Sequence, residues 1–262
     1  MMISEIFGKL SSSGNNLHER LEDNLTGNVF GALRYIPFDK AMKPIIVNAV
    51  YPKSIADIIN GIHAHYWDSN IKFWPYDEEG ELDALIEFDD VIIGIEVKYL
   101  SGLSSDDYID CSESSIYNSA EYEQKLSFHQ LSRESRIVSK RGSKKKKILI
   151  FIADSSSCRY VYKDTIKRNL IKKDVDLGYV SWQALLIELS KLTLDNEFYR
   201  LIIGDLIKLL KRKGFDQFKD MNLEYKFSVD TLSYFRFDYE LKNLFDFNIG
   251  TKVRGDLYYE FR

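Results

Sequence analysis

Cysteine is nearly absent from this chain: its 262 residues hold only Cys111 and Cys158. Two cysteines this far apart cannot build a disulfide framework, and they lack the C-x-x-C spacing of a structural zinc site, so both read as ordinary thiols. No apolar run reaches the roughly 18 residues that a membrane-spanning helix needs. The opening residues, MMISEIFGKLSSSGNN, lack the basic, apolar and small-residue regions of a secretory signal, so a cytoplasmic location and no membrane partner are expected. There is no G-x-x-x-x-G-K-[ST] and no G-x-G-x-x-G, which argues against an intrinsic ATPase motor or a dinucleotide enzyme. No G-x-S-x-G elbow supports an esterase, and no H-E-x-x-H supports a zinc protease. A strong positive charge is missing as well: the net charge is −4, which speaks against a protein that coats nucleic acid without specificity.

What is present is the composition of a soluble globular chain, 45% hydrophobic, 14% aromatic and 29% charged, long enough for one large domain or a core with a helical annex. Leu17, Leu21, Leu25, Val29 and Leu33 fall at four-residue steps and predict an amphipathic helix ending before Pro37. KSIADIINGIHAHYW predicts a second helix, and NIKFWPY a strand near residues 70 to 75. Two strands follow, at about 81 to 88 and 91 to 99, then a Ser/Asp-rich loop at 101 to 114. A helix with Phe128, Leu131, Ser135 and Val138 on one face leads into KILIFIAD, a continuous apolar run expected for a strand buried on both faces. LGYVSW reads as a further short strand feeding WQALLIELSKL, and residues 195 to 215 form the clearest helix, with a basic last turn and Gly214 as its stop. This order predicts an α/β domain around a mixed central sheet of about four to five strands flanked by helices. The domain reading is a core over residues 1 to 194 and a helical, aromatic-rich C-terminal extension over 195 to 262 packed on it.

The stretch ELDALIEFDDVIIGIEVKYL, residues 81 to 100, carries the chemistry. A hairpin centred on Asp89 and Asp90 pairs Phe88 with Val91, Leu82 with Val97 and Asp83 with Glu96. A one-residue slip would mix the faces. In this register Leu82, Ala84, Ile86 and Phe88 share an apolar face with Val91, Ile93, Ile95 and Val97. The other face collects Glu81, Asp83, Leu85 and Glu87 with Ile92, Gly94, Glu96 and Lys98. Opposed carboxylates with Cβ atoms roughly 5 Å apart repel unless something neutralises them. A divalent cation such as Mg²⁺ would do so, held by Asp83, Glu96 and the carbonyl of Val97, with Mn²⁺ able to substitute. Lys98 is then placed to contact a phosphate or the attacking water, and Gly94 is expected to leave room for a ligand or backbone. The plainer reading is a surface ion pair between Glu96 and Lys98.

Asp83 followed by Glu96-Val97-Lys98 at a strand end, with a helix before and a helix and strand after, resembles the PD-(D/E)XK nuclease superfamily with its restriction-endonuclease-like core. Leu82 stands where that pattern often has proline. The resemblance implies a metal-dependent enzyme that hydrolyses phosphodiester bonds, in DNA before RNA, with Asp83 and Glu96 on the metal and Lys98 assisting. It further offers Gln130 of HQLSRE and Glu22, or Glu19, of LHERLEDNLT as additional catalytic groups. Proteins of this kind serve restriction, repair, transposition or phage defence. The alternative from another class is a non-catalytic module that keeps the fold and binds nucleic acid or a protein partner, and a homo-oligomer stays open.

Six of eight residues in KRGSKKKK, 140 to 147, are basic. Lys140, Arg141, Lys144 and Lys145 are therefore candidates for phosphate contact, against the reading of a solvated loop. His18, His63 and His65 read as incidental, while His129 adjoins Gln130. The aromatics from Tyr225 to Phe261 could stack unpaired bases, though such rings more often fill a small core or an interface.

Overall fold

The computed structural model describes residues 17–99, 103–104 and 129–216, with side chains from residue 22 onward. The chain divides into two compact units, Met1–Lys219 and Asp220–Arg262, and all described residues belong to the first. Cys111, Phe128, most of the Ser/Asp loop and the aromatics from Tyr225 onward lie outside the described residues.

The helix predicted at the start is α1 (Leu17–Leu33), and its stripe of Leu25, Val29, Phe30 and Leu33 is fully buried. A helix that periodicity did not indicate follows, α2 (Met42–Ala49). Pro44 sits at its third position, where the backbone N–H has no helical partner to lose. The second predicted helix is shorter than expected, α3 (Lys53–Asn60), and stops at Gly61. The strands are β1 (Ile71–Phe73), a two-residue ribbon of β2 (Tyr76–Asp77) and β3 (Gly80–Glu81), then β4 (Ala84–Glu87) and β5 (Val91–Val97). After them come α4 (Gln130–Ser139), β6 (Lys146–Ala153), α5 (Ser155–Lys167), β7 (Asp176–Ser181), α6 (Trp182–Lys191) and α7 (Glu197–Arg212). Helix α5 was not expected from its mixed polar sequence. Its start is set by Asp154, whose Oδ1 accepts from the N–H groups of Ser156 and Ser157 at 2.9 and 3.1 Å.

The fold is α/β, with one five-stranded mixed sheet in the order β1-β4-β5-β6-β7 and helices on both faces. Strand β4 runs antiparallel to both β1 and β5, whereas β5, β6 and β7 are parallel to one another. Among the described residues no helix is long and apolar enough to cross a membrane.

The hairpin register is the one read from alternation, with Ala84 opposite Ile95, Ile86 opposite Ile93 and Glu87 opposite Ile92. Ala84, Ile86, Phe88, Val91, Ile93, Ile95 and Val97 join the larger core under α1, α2, α3, α6 and α7. Leu82 does not: it packs with Leu85, Ile92, Leu131 and Val138 on the face covered by α4 and α5. The cause is a bend at Asp83, which holds back the start of β4 to Ala84 and turns Leu82 over.

Gly94 makes room for a close neighbour, and that neighbour is helix α4. A Cβ there would lie 2.5 Å from Cγ2 of Val138, so the missing side chain lets α4 press onto β5 rather than making room for a ligand. Gly94→Ala is therefore expected to lower stability by about 1 to 3 kcal/mol. Adding Val138→Ala should recover part of that loss in urea titrations. Equal stability of Gly94→Ala and wild type would remove this account of the packing.

Candidate active site

Glu96 and Lys98 stand at the carboxyl end of β5, where the parallel strands meet the antiparallel hairpin. Ligands in open α/β sheets gather at such strand ends. Alternation along β5 puts both side chains on the α4 face, and both are almost fully buried. Lys98 Nζ contacts Glu96 Oε1 at 2.9 Å and Glu22 Oε2 at 3.6 Å. The plainer reading of a surface pair therefore fails on burial, with Glu96 at 3% and Lys98 at 8% relative exposure.

Asp83 arrives from the hairpin partner. Phe88 N–H donates to the Val91 carbonyl at 2.8 Å, and hydrogen-bonded pairs alternate along an antiparallel ladder, so the Val97 N–H would ordinarily reach the Leu82 carbonyl. It donates instead to Asp83 Oδ2, at 2.7 Å. The bend that displaces Leu82 thus substitutes a carboxylate for a carbonyl beside Glu96. Asp83 is half-buried.

Two helices complete the cluster. The first residue of α4, Gln130, donates from Nε2 to Glu96 Oε1 at 2.6 Å and accepts the Ser104 N–H at 2.8 Å on Oε1. From α1, Glu22 accepts the Tyr99 N–H at 2.9 Å on Oε1. The Lys98 carbonyl in turn accepts from Trp182 Nε1 at 2.8 Å, so the backbone just past Glu96 is fixed on both sides. Asp83, Glu96, Lys98, Gln130 and Glu22 are thereby brought together.

A sixth group was missed. Glu134, four residues after Gln130 and hence on the same face of α4, is 3% exposed and approaches Glu96 closely enough to share a proton with it. Its Oε2 is buried without a hydrogen-bond partner among the described residues. The i, i+4 step from Gln130 was the available signal.

Among the described residues the Lys98 ammonium faces the carboxyl groups of Asp83, Glu96, Glu134 and Glu22, and the titration behaviour follows from that imbalance. Burial, and next the charge of Glu96, push the Asp83 carboxyl well above the ordinary range, against the Val97 N–H and Lys98. Burial and then Glu134 do the same to Glu96, with Lys98 opposing. Burial raises Glu134 to about 8. For Lys98, burial works against the charge, but Glu96 and Glu22 outweigh it and hold the ammonium above its usual value.

The donor set suits a hard cation. Among the described residues no three His, Cys, Asp or Glu side chains converge to hold a metal by themselves. Mg²⁺, however, usually takes only one or two carboxylates, the remaining positions being filled by water and substrate oxygens. Asp83 and Glu96, with the carbonyl of Val97 between Glu96 and Lys98, provide oxygen atoms only. Their raised affinity for protons marks a place where added positive charge is favourable.

The basic loop lies elsewhere. Val91 pairs with Lys146 at one end of β5 and Val97 with Ile152 at the other, a separation of roughly 20 Å at about 3.3 Å per residue. At the far end Lys140 binds Asp77 at 2.7 Å, Arg141 approaches the same carboxylate at 3.9 Å, and Lys145 binds Glu87 at 2.8 Å. Lys144 lines an open cavity of about 800 Å³ there, with Lys146, Asp89, Asp90 and Phe88. Cavity size and carboxylate chemistry thus point to opposite ends of the sheet. The chemistry decides, because the carboxylate end is where buried carboxyl groups of raised proton affinity converge. Of the histidines, His129 is buried as the residue preceding α4, and His63 and His65 are exposed. Cys158 is buried, with its thiol pushed up to about 12, which fits an inert core residue.

Glu134 holds a proton up to about pH 8 in the folded chain but only to the ordinary value of 4.5 when unfolded. The stability that this proton contributes is present at low pH and lost as pH rises through that window, at up to roughly 1.4 kcal/mol per pH unit. In EDTA, urea titrations from pH 5 to pH 8 are expected to show falling stability, with a shallower fall in Glu134→Gln. Parallel profiles for the two proteins would contradict a buried, protonated Glu134. Comparison of the chain with family models, with curated proteins and with solved structures gives no match, so function has to be argued from this geometry.

Proposed function

We propose that the protein is a metal-dependent nuclease that hydrolyses phosphodiester bonds, in DNA before RNA, at the carboxyl end of β5. One observation carries this reading: Asp83, Glu96, Lys98, Gln130 and Glu22 come from four separate elements and meet around a single buried Glu96–Lys98 pair. The resemblance to the PD-(D/E)XK superfamily supports the same reading from the motif.

Each residue has a physical role in this account. Asp83 and Glu96 hold the cation, with the Val97 carbonyl as a third oxygen. A bound Mg²⁺ or Mn²⁺ supplies Lewis acidity and water activated near neutral pH. The Val97 N–H fixes the Asp83 carboxylate, and Gln130 fixes Glu96. Held in its charged form by Glu96 and Glu22, Lys98 acts as a stabiliser of negative charge developing on the phosphate, not as a proton acceptor. Glu22 keeps Lys98 and Tyr99 in place.

Purified protein incubated with linear, circular and single-stranded DNA and with RNA is expected to cleave in Mg²⁺ or Mn²⁺ and to stop in EDTA. Asp83→Asn, Glu96→Gln and Lys98→Ala should each reduce the rate at least about 100-fold, the scale of losing one preorganised charge-stabilising group. Because protonation of Asp83 and Glu96 competes with the cation and both carboxyl groups hold protons more tightly than usual, the rate should rise with pH. Cleavage that persists in Asp83→Asn or Lys98→Ala would remove the site. Tight, salt-sensitive binding without cleavage in any metal would favour the non-catalytic module.

A further inference from the structure

The chain has a second basic run, and it differs from KRGSKKKK in two respects. It is Lys211-Arg212-Lys213, the end of α7 and its cap. Three cations of the first run are engaged at short range, Lys140 with Asp77, Lys145 with Glu87 and Lys147 with Asp174, at 2.7, 2.8 and 2.7 Å, which leaves Lys144 and Lys146 exposed beside the open cavity at the far end of the sheet. Such a cation must release its acid before it can take a phosphate. In the second run Lys211 and Arg212 are exposed, and among the described residues none of the three cations is ion-paired to an acid. Lys213 shows the consequence: burial, and then the like charge of Arg212, lower its proton affinity with no carboxylate to oppose them.

The second difference is position. Gly214 adopts φ +84°, and its N–H donates to the Lys211 carbonyl at 2.9 Å while Phe215 N–H donates to Leu210 at 3.1 Å. This left-handed cap closes the helix and turns Phe215 inward. Phe215 then packs on Tyr99 and Trp182, with ring centroids 5.6 and 5.5 Å apart. Lys213 Nζ lies 4.6 Å from the centre of the Tyr99 ring. Tyr99 directly follows Lys98, its N–H is held by Glu22, and Trp182 holds the Lys98 carbonyl. The unpaired cations are therefore anchored to the very strand end that carries the candidate site.

We propose that Lys211, Arg212 and Lys213 form the surface that binds the phosphate backbone of a nucleic-acid strand and leads it onto the Glu96–Lys98 site. This rests on the nuclease reading and assigns the docking role to α7 rather than to residues 140 to 147. Lys213 lies on the Tyr99 ring and is half-buried, and Lys211 and Arg212 precede it on α7 as exposed cations.

The test is binding of a short fluorescein-labelled DNA, duplex and single-stranded, by the full chain in Ca²⁺, with salt varied from ~50 to ~200 mM. Each phosphate contact contributes about 0.9 to the slope of log K against log salt on duplex DNA. Lys211→Ala/Arg212→Ala, which alters only exposed side chains, should lower that slope by about 2 and weaken binding at least about 10-fold at low salt. Lys213→Ala added to that pair should lower the slope further. Lys140→Ala/Lys144→Ala/Lys145→Ala should leave the slope close to wild type. If the α7 variant keeps the wild-type slope while the loop variant loses it, the assignment to α7 is wrong and the nuclease reading stands. If wild type binds none of these DNAs, both fall together.

Discussion

The contact on which the rest of this structure turns is the buried pair of Glu96 and Lys98, at 2.9 Å. Among the described residues the Lys98 ammonium is outnumbered by the carboxyl groups of Asp83, Glu96, Glu134 and Glu22, where water is largely excluded. Charges taken out of water are tolerated only when paired and hydrogen-bonded, or when their protons are retained. Both responses are visible. Gln130, Val97 and Tyr99 donate hydrogen bonds to the carboxylates, while burial and mutual repulsion raise the proton affinity of Asp83, Glu96 and Glu134. A divalent cation is the third response, and it would replace the retained protons with a charge that can also do chemistry.

The surrounding architecture serves to hold that excess in one place. The central strand β5 delivers Glu96 and Lys98 at its carboxyl end, the hairpin returns Asp83 beside them, and Gly94 lets α4 lie close enough for Gln130 and Glu134 to reach Glu96. From the other side α1 contributes Glu22, and Trp182 at the start of α6 clamps the Lys98 carbonyl. Residues far apart in sequence thus bear on three positions of β5, which is why the site is sensitive to packing as well as to charge.

Much of this was legible from the sequence, for reasons that can be named. Strand alternation has period two, so apolar positions 84, 86 and 88 against 91, 93 and 95 admitted one register only, and that register opposed Asp83 to Glu96. What alternation could not reveal was a local break: the bend at Asp83 moves Leu82 to the other face and puts a side-chain oxygen where a carbonyl belongs. Helix α2 was hidden by Pro44, whose penalty vanishes in the first turn, and α5 by a composition with no apolar stripe. Glu134 escaped because a glutamate on a helix is usually solvated, and its burial depends on how closely α4 meets β5. The KRGSKKKK run stood out by composition, yet four of its six cations lie against Asp77, Glu87 and Asp174, at the opposite end of the sheet from the carboxylates.

The most direct measurement of the central claim is calorimetric titration of the protein with Mg²⁺ and with Mn²⁺ near pH 7, in buffers of different ionisation enthalpy. Saturable binding accompanied by proton release, absent in Asp83→Asn and Glu96→Gln, is the predicted result, because a cation entering this cluster displaces retained protons. Binding that releases no protons, or that survives loss of both carboxylates, would contradict the account.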